Sequence, residues 1–267
     1  MNPIRQKIRL LVRARDDMQD GRKRFDNRLG LKADGTLQDT KDENKLLSPE
    51  DYLFFEELRT TFSDGEKKTD KELLKELRKI PVYNEFLLNV KGVGTAIAGW
   101  IISEYDIEIA TTVSKMWQFT GLNPGFVYGK KRVEKGKIFS YVTTDTLVRG
   151  DKLTSGFVSP FNKKLRTVMC GILADGFIKC KSSYALDYYY PYKARLEQKD
   201  SLVMHCGKEV SWKDVTKGHR DRAAKRYMIK MFLLDLYVAW RNIEGLSVRV
   251  PYAEEFLGKK HEVAVAV

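Results

Sequence analysis

Apolar residues recur every seven positions at the start of the chain, the spacing of an amphipathic helix or a coiled coil. This seam consists of Ile4, Leu11, Met18 and Phe25. Arg15 and Arg22 interrupt the neighbouring seam. Residues 1–29 carry nine basic and four acidic side chains, so the helix either has a solvated face or lies along nucleic acid. The pattern predicts one long helix, and a coiled coil through it would make a homodimer.

A second helical region follows a polar, turn-rich stretch. Ser48 can cap its first turn, where Pro49 is well tolerated. The string Ser-Asp-Gly at residues 63–65 predicts the end of this helix. A capping box that begins at Thr69 predicts the start of a third helix. Residues 1–85 are therefore predicted to form a helical arm that returns on itself.

The pattern changes after the arm. An apolar helix, a Gly-x-Gly turn and a second apolar helix follow one another, as in a helix-hairpin-helix. Residues 126–158 are rich in Val, Thr, Tyr, Phe and Gly, which predicts a small hairpin or an extended insertion. Helical patterns then return. We therefore predict a mainly α protein, with a helical arm over residues 1–85 and a helix-hairpin-helix domain over residues 86–267 that carries a small β-rich basic insertion.

The net charge of the chain limits the kinds of partner that the sequence predicts. The chain has 48 Lys and Arg against 36 Asp and Glu, a net charge of +12 with a pI near 9.4. Such a surplus attracts phosphate backbones and anionic membranes. No uninterrupted apolar segment approaches the ~18 residues of a membrane-spanning helix. Nucleic acid is therefore the favoured partner, with DNA first and structured RNA second, and no membrane partner is expected.

The first residues of the chain indicate its compartment, and the cysteines indicate whether it has disulfides or a metal site. The first residues lack the apolar region of a signal peptide. Cys170, Cys180 and Cys206 form no CxxC pair, and His205 has no second ligand pair at zinc spacing. We therefore predict a cytoplasmic protein without a disulfide framework, a metal site or a cofactor. Mg²⁺ would take part only if a partner supplied a catalytic domain.

The glycine turn is the first predicted contact with nucleic acid. Glycine has no Cβ, so the main chain can turn tightly and approach a ligand. Amides at the N-terminus of the next helix favour anions, and a lysine lies beside them. The predicted contact residues are Lys91, Gly92, Val93, Gly94 and Thr95. The alternatives are an ordinary packed turn and a Rossmann turn, although Gly99 is misplaced for the second.

The strongest concentration of positive charge lies in residues 126–166, where ten basic side chains face three acidic ones. Those predicted to contact nucleic acid are Lys130, Lys131, Arg132, Lys135, Lys137, Lys152, Lys163, Lys164 and Arg166. Phe and Tyr residues alternate with them. Cations neutralise phosphates, and aromatic rings can stack on unpaired bases. The alternative is that most of these rings form the core of a small sheet.

A further basic face is predicted on the last long helix. Arg222, Arg226 and Lys230 follow helical spacing and lie opposite an apolar stripe. Direct contact with nucleic acid and a solvated helix surface are both open interpretations. The tyrosines of residues 188–192 form a dense aromatic cluster. Core packing is the first interpretation of this cluster, and base stacking is the second.

Candidate catalytic residues are sparse. No pair of carboxylates has the arrangement of a two-metal nuclease site. Ser155 precedes Gly156 in a basic neighbourhood, so its hydroxyl is a candidate nucleophile for a phosphodiester, with nearby cations stabilising the transition state. The alternative is a serine in a flexible turn.

Four strings, taken in order, resemble a known family. They are Val90-Lys91-Gly92-Val93-Gly94, Asp106-Ile107, Phe119-Thr120-Gly121-Leu122-Asn123-Pro124 and Gly156–Arg166. They resemble the C-terminal domain of the bridge-RNA-guided DEDD-type insertion-sequence transposases, which join a RuvC-like domain to a serine-bearing transposase domain. The resemblance covers about residues 86–257 and implies DNA binding, and it adds Asn162 to the predicted contacts. Residues 1–85 are similar to the helical arm that precedes this domain in the family.

The chain departs from the family where the chemistry would occur. The sequence shows no RuvC-like domain before the arm, so the family's acidic metal-binding quartet has no counterpart. The family's nucleophilic serine follows the Gly-Leu-x-Pro step closely, where this chain has residues 125–130 without a serine. Ser140 and Ser155 are displaced candidates. The resemblance therefore implies DNA binding more directly than strand transfer.

Together these patterns predict a nucleic-acid-binding protein, DNA being preferred, that is related to an insertion-sequence transposase. We expect it to act in DNA recombination or transposition, or as an accessory to it. One alternative is an active serine-dependent recombinase or nuclease that uses Ser155. Another is a phage-type inhibitor or interaction module that binds an RNA–protein complex.

Overall fold

The chain is mainly helical over the residues that the structure describes, as the sequence predicts. This computed structural model describes residues 3–31, 48–136, 138–205 and 207–249, apart from the side chain of Lys135. Lys137, one of the predicted contact residues, lies outside these ranges. The helices are α1 (Pro3–Arg28), α2 (Pro49–Leu77), α3 (Pro81–Glu85), α4 (Thr95–Glu104), α5 (Val113–Phe119), α6 (Lys163–Thr167), α7 (Ala174–Lys179), α8 (Tyr190–Glu197) and α9 (Lys217–Ile243). The strands are β1 (Phe126–Lys135), β2 (Ile138–Arg149), β3 (Leu202–His205) and β4 (Lys208–Ser211).

The chain divides into two compact units. The first consists of Met1–Ile80 and Thr95–Glu104, and the second of Pro81–Gly94 and Tyr105–Val267. The first unit therefore contains α1, α2 and α4, whereas the second contains the four strands and α9. Across the described parts of both units, no helix is long and apolar enough to cross a membrane.

In the first unit, α1 and α2 lie antiparallel against each other. Lys7 Nζ is 2.7 Å from Glu76 Oε1 near one end of the pair, and Arg22 Nε is 2.8 Å from Glu66 Oε2 near the other. Residue numbers thus rise along α1 while they fall along α2. The partner of α1 in this structure is therefore a helix of the same chain. A homodimer through residues 1–29 stays a prediction.

Helix α2 continues without a break, so the predicted helix end at residues 63–65 is wrong. Thr69 does not cap a new helix, because its Oγ1 donates a hydrogen bond to Gly65 O inside α2, at 2.7 Å. Gly65 lets α1 come close, since a Cβ there would lie 2.8 Å from Met18 Sδ. Ser48 does cap α2 as predicted, accepting a hydrogen bond from a first-turn amide at 3.1 Å.

Helix α9 is the centre of the second unit. It packs against α3, α5, α7, α8 and two π-helical segments. Nearly every residue from Met228 to Tyr237 is buried, a wider band than the apolar stripe predicted from the sequence. The rings of Phe177, Tyr184 and Phe232 meet with centroids no more than 5.5 Å apart. Because full burial of one such side chain contributes roughly 1.5–3 kcal/mol, α9 is a main source of stability for this unit.

Two antiparallel hairpins interrupt the helices of the second unit. The pairing of β1 with β2 confirms the predicted insertion, and its ladder is irregular between Tyr128 and Lys130. The pairing of β3 with β4 was not predicted. The two-residue connection of this second hairpin contains Gly207 at φ +80°. A glycine in such a short connection is the sequence signal that could have identified it.

Asp235 is a buried carboxylate in the middle of α9. Tyr184 Oη donates a hydrogen bond to its Oδ2 at 2.8 Å. Burial raises the pKa of Asp235 to about 6, although the hydrogen bond from Tyr184 acts in the opposite direction. The folded state therefore holds this proton more tightly than the unfolded state does. The protonated carboxyl of Asp235 therefore stabilises the folded state. This contribution to the free energy of unfolding is fully present below about pH 4 and is lost as the pH rises through about 6.

The Asp235→Asn variant should accordingly be more stable than the native chain at neutral pH. The amide still accepts the hydrogen bond from Tyr184 but carries no charge to bury. We expect the free energy of unfolding to rise by about 1–2 kcal/mol at pH 7.5, with little change near pH 4. Urea unfolding at pH 7.5 and at pH 4 measures the two free energies of unfolding. Asp187→Asn, which alters an exposed carboxylate, is the control. If Asp235→Asn is no more stable than the native chain at pH 7.5, the assignment is contradicted.

Candidate nucleic-acid interface

The positive charge of the chain is concentrated in one of its two units. The first unit has 19 Lys and Arg against 18 Asp and Glu, whereas the second has 29 against 18. Almost all of the net charge therefore belongs to the second unit. A polyanion would be attracted there rather than to the helical arm.

Five basic residues of α1, namely Lys7, Arg9, Arg13, Arg15 and Arg22, form ion pairs with carboxylates of their own unit. Arg15 Nη2 and Arg22 Nε each lie 2.8 Å from an oxygen of Glu66. Arg9 Nε lies 3.1 Å from Glu104 Oε1 in α4. These cations therefore hold helices together, a role that neither the solvated-face nor the nucleic-acid interpretation of the arm included.

The β1–β2 hairpin is a ribbon with two different faces. Side chains alternate along a strand, and residues paired across a ladder share a face. One face, called here the Arg132 face, contains Lys130, Arg132, Glu134, Phe139, Tyr141 and Thr143. On it, Arg132 Cζ lies 3.4 Å from the ring centroid of Phe139. On the opposite face, Lys131 Nζ lies 5.0 Å from the ring centroid of Phe157.

The aromatic side chains of the ribbon are exposed, so the alternative that most of them form a small core is wrong. Their exposed fractions are 66, 62, 50 and 63% for Phe126, Tyr128, Phe139 and Tyr141. Within the described ranges, no carboxylate forms an ion pair with Lys130, Lys131 or Arg132. Cations without a carboxylate partner and exposed rings thus lie on the same ribbon.

Two predicted contact residues near α6 bind protein atoms. Asn162 caps α6, since its Oδ1 accepts a hydrogen bond from the Leu165 amide at 3.0 Å. Arg166 Nη1 donates to Gly121 O at 2.5 Å and to Asp151 O at 2.6 Å. These two side chains position the neighbouring loops, and their contact with nucleic acid stays a prediction. The other predicted residues of this segment are exposed lysines, namely Lys152, Lys163 and Lys164.

A cleft of about 580 Å³ opens beside α9 and is called here the α9 cleft. Its lining comes from α8, α9, β3, the end of β2 and the neighbouring loops. Apolar side chains, among them Leu122 and Met204, form part of the wall. The polar and aromatic lining consists of Arg149, Asp151, Tyr192, Trp212, His219, Arg226, Tyr227 and Lys230. Two of the three predicted contact residues of α9 therefore meet in one cavity, whereas Arg222 is exposed and does not line it.

Arg226 and Lys230 carry the positive charge of the α9 cleft. Burial lowers the pKa of each, and the Arg226 charge lowers the pKa of Lys230 further. Lys230 Nζ lies 5.0 Å from the Trp117 ring centroid. Asp151 is the nearby carboxylate, but Arg149 binds both of its oxygens, at 3.1 and 3.2 Å. In the part of the chain that the structure describes, no carboxylate forms an ion pair with Arg226 or Lys230.

The tyrosine cluster of residues 188–192 is divided between core and cleft. Tyr189 Oη donates a hydrogen bond to Asp221 Oδ1 at 2.5 Å, and its side chain is buried. Tyr192 instead lines the cleft, where its ring stacks on Tyr227 with centroids 4.3 Å apart. The guanidinium of Arg195 lies 4.7 Å from the ring centroid of Tyr192. Core packing thus applies to Tyr189, whereas Tyr192 lines the cleft and base stacking by the cluster stays a prediction.

Trp212 forms part of the cleft wall at the end of the second hairpin. Arg220 Nη1 donates to the main-chain oxygens of Trp212 at 3.3 Å and Val215 at 2.7 Å. This buried arginine therefore fixes the loop that carries the tryptophan. The Trp212 ring is tilted against that of His219, with centroids 5.5 Å apart. His219 and Arg220 belong to the basic stretch that the sequence shows around the start of α9, whereas Trp212 was not predicted as part of a site, because it precedes the helix and only the fold brings it to the cleft.

Gly92, at the predicted glycine turn, has φ +104°, a conformation that favours glycine. A Cβ at this position would lie 2.8 Å from the Phe177 ring and 3.2 Å from Cys180 Sγ. The missing side chain thus lets the turn pack against other residues of the second unit. This is the ordinary packed turn that the sequence left open as an alternative, and it leaves no room for a ligand to approach Gly92 from that side.

The rest of the predicted turn is more open. Lys91 and Gly94 are exposed, and nothing lies within 4 Å of a Cβ built on Gly94. Val93 is half-buried, and its amide donates to Val90 O at 3.0 Å. Thr95 begins α4 and belongs to the first unit. The exposed part of the predicted contact therefore consists of the Lys91 side chain and the main chain at Gly94.

Ser155 lies exposed in a turn between β2 and α6. Over the residues that the structure describes, its Oγ makes no hydrogen bond, so no base is in place to take its proton. In the same ranges, no three His, Cys, Asp or Glu side chains are grouped so that they could hold a metal ion. The catalytic role of Ser155 stays a prediction.

The pKa of His219 depends on the positive charges around the α9 cleft. Burial lowers its pKa below the ordinary value of 6.5, and nearby His205, Arg226 and Arg222 lower it further. We therefore expect NMR titration to place the pKa of His219 below 6.5. In Arg226→Met the pKa should move upward, because one positive charge is removed. Lys217→Met, which removes an exposed charge at the start of α9, should leave it nearly unchanged, and a native pKa above 6.5 contradicts this description of the cleft.

Comparison with protein-family models, with curated proteins and with solved structures finds no match to this chain. The resemblance to insertion-sequence transposases therefore stays a prediction that rests on the quoted strings. Two of those strings lie beside features of the second unit: the glycine turn packs against Phe177, and the Gly-Leu-Asn-Pro string places Leu122 and Pro124 in the wall of the α9 cleft.

Proposed function

We propose that this chain binds nucleic acid through its second unit, with DNA as the preferred polymer. Following the resemblance to insertion-sequence transposases, we assign it a role in DNA recombination or transposition, or as an accessory to that reaction. The observation that carries the proposal is a contrast between the units. In the first unit the partly buried Arg15 and Arg22 of α1 are paired with carboxylates, whereas Arg226 and Lys230 of the second are half-buried without such a partner among the described residues.

Half-buried cations favour a bound anion. Withdrawing a charge from water costs several kcal/mol unless an opposite charge compensates for it. A phosphate group beside Arg226 and Lys230 would supply that charge. Hydrogen bonds from charged donors to phosphate are roughly twice as strong as those between neutral groups. Release of counterions from the polymer would add to the affinity and make it depend on salt.

The Arg132 face of the ribbon extends the proposed surface. A two-stranded ribbon is narrow enough for the major groove of a duplex. Arg132 and Lys130 would bind phosphates at any sequence, and the exposed rings of Phe139 and Tyr141 would contact bases or sugars. The ribbon therefore suits binding along a backbone, with sequence specificity supplied elsewhere.

Neither of the two alternative functions, a serine-dependent recombinase or nuclease and an inhibitor module, is supported by a contact among the described residues. Ser155 has no base beside it in the described part of the chain, so we do not propose a recombinase or nuclease activity of this chain alone. The α9 cleft combines two cations with a wall of rings. That chemistry matches a nucleotide better than a folded protein surface, so we do not propose the inhibitor module.

Charge reversal on the ribbon tests the proposed surface. In Lys130→Glu/Arg132→Glu, the slope of log affinity against log salt should fall by about two, because each lost phosphate contact removes about one unit. Fluorescence anisotropy with labelled DNA over a salt series measures this slope. The matched control is Lys68→Glu/Lys71→Glu on the exposed side of α2, which makes the same charge change in the first unit. Equal slopes for the two double variants would exclude the ribbon as a binding surface.

The glycine turn requires its own test, since only part of it is open. Lys91→Glu should weaken DNA binding several-fold, because the side chain lies beside the exposed main chain of the turn. Lys179→Glu on α7 makes the same change of charge in the same unit and serves as the control. If both variants bind equally well, the turn is not part of the interface and Gly92 serves packing alone.

A further inference from the structure

We infer that the α9 cleft receives one unpaired nucleotide of a nucleic-acid strand, with its phosphate at Arg226 and Lys230 and its base against the aromatic wall. This inference rests on the proposed function and makes it more specific. The ligand of the cleft would be an unpaired nucleotide, in a single strand, at a strand end or as an extruded base. The ribbon would instead bind the backbone of either a single strand or a duplex.

The size of the cleft favours a single nucleotide. Its volume of about 580 Å³ falls within the roughly 300–1,000 Å³ of small-ligand pockets. A duplex is wider than its own major groove of about 12 Å, so it is too thick to enter a cavity of this size. An unpaired base that leaves the stack can enter, as it does in enzymes that act on extruded bases.

The lining of the cleft is amphiphilic in the way that a nucleotide is. Arg226 and Lys230 both lose hydration through burial, whereas Arg149, the third cation of the lining, is paired with Asp151. Apolar and aromatic side chains form the rest of the wall, including Leu122, Met204 and Trp212. Inorganic phosphate would use only the first part, and an apolar ligand only the second. A phosphate joined to a flat ring uses both.

The base would stack on the ring of Trp212. Tyr192 already stacks on Tyr227 and also has Arg195 near its ring, so its faces are used within the protein. Trp212 meets His219 at a tilt of 46°, and its main-chain oxygen accepts a hydrogen bond from Arg220 Nη1 at 3.3 Å. A ring carried by a fixed loop stacks at a lower entropic cost than one on a free loop, and base stacking contributes about 1–3 kcal/mol per base.

The experiment combines a change in the protein with a change in the ligand. Native protein and Trp212→Leu are titrated with a short labelled single strand, with the same strand carrying abasic sites, and with a blunt duplex of the same sequence. We expect Trp212→Leu to bind the intact strand roughly tenfold more weakly, with less than about a twofold change for the duplex. The abasic strand should bind native protein about tenfold more weakly but should cost Trp212→Leu almost nothing further, because the same stacking contact is already lost.

Matched variants test the phosphate end of the cleft. Arg226→Met removes a half-buried charge without leaving a polar group behind, and Arg222→Met removes an exposed charge one turn away that does not line the cleft. Only Arg226→Met should lose the preference for the single strand. Competition with a free nucleoside monophosphate distinguishes a soluble nucleotide as the ligand: displacement of the strand at micromolar concentration would overturn the assignment to a polymer.

The outcomes separate this inference from the proposed function. Equal losses for single strand and duplex in Trp212→Leu would overturn the inference while nucleic-acid binding stands. Independent, additive effects of Trp212→Leu and of the abasic sites would overturn it too. If the native protein binds neither strand nor duplex, the proposed function itself fails. Circular dichroism of each variant confirms that a loss of binding is not a loss of fold.

Discussion

The function proposed for the second unit depends on two positive charges placed on α9. Arg226 and Lys230 stand one turn apart on a helix whose remaining surface is largely buried, so neither can avoid partial desolvation. In the first unit, comparable cations of α1 are satisfied by Glu66 and Glu76. Asp151 favours both charges through space, but its two oxygens are bound to Arg149, and no carboxylate in the described part of the second unit forms an ion pair with either cation. A bound anion would supply that opposite charge, which is the basis of the proposed function.

The fold brings the remaining parts of the cleft to these charges. Helix α9 is packed on several sides, and the segment between α8 and α9 contacts the first turns of α9 through Trp212 and His205. This arrangement places Tyr192 and Trp212 beside Arg226, and Arg220 fixes the tryptophan loop. The packing that stabilises the unit thus also builds the wall of rings. Stability and the proposed binding chemistry have a common origin in one helix.

The sequence could predict the features that depend on local patterns. The mainly helical fold, the cap at Ser48 and the β1–β2 insertion follow from spacing and composition, and the structure confirms them. The break expected at residues 63–65 does not exist, because close packing of Gly65 on Met18 overrides its turn signal. The cleft could be predicted only in part. Arg226 and Lys230 share a helix face that spacing reveals, but Trp212 reaches them only through tertiary folding.

Lysine footprinting tests the central claim most directly, since it asks where a polyanion lies on the chain. An amine-reactive reagent is applied with and without saturating single-stranded DNA, and the modified sites are read by mass spectrometry. Binding through the second unit predicts strong protection of Lys130, Lys131 and Lys230, with Lys68 and Lys71 of α2 modified equally in both samples. Protection confined to the α2 lysines, or no protection on the ribbon and in the cleft under saturating DNA, would contradict it.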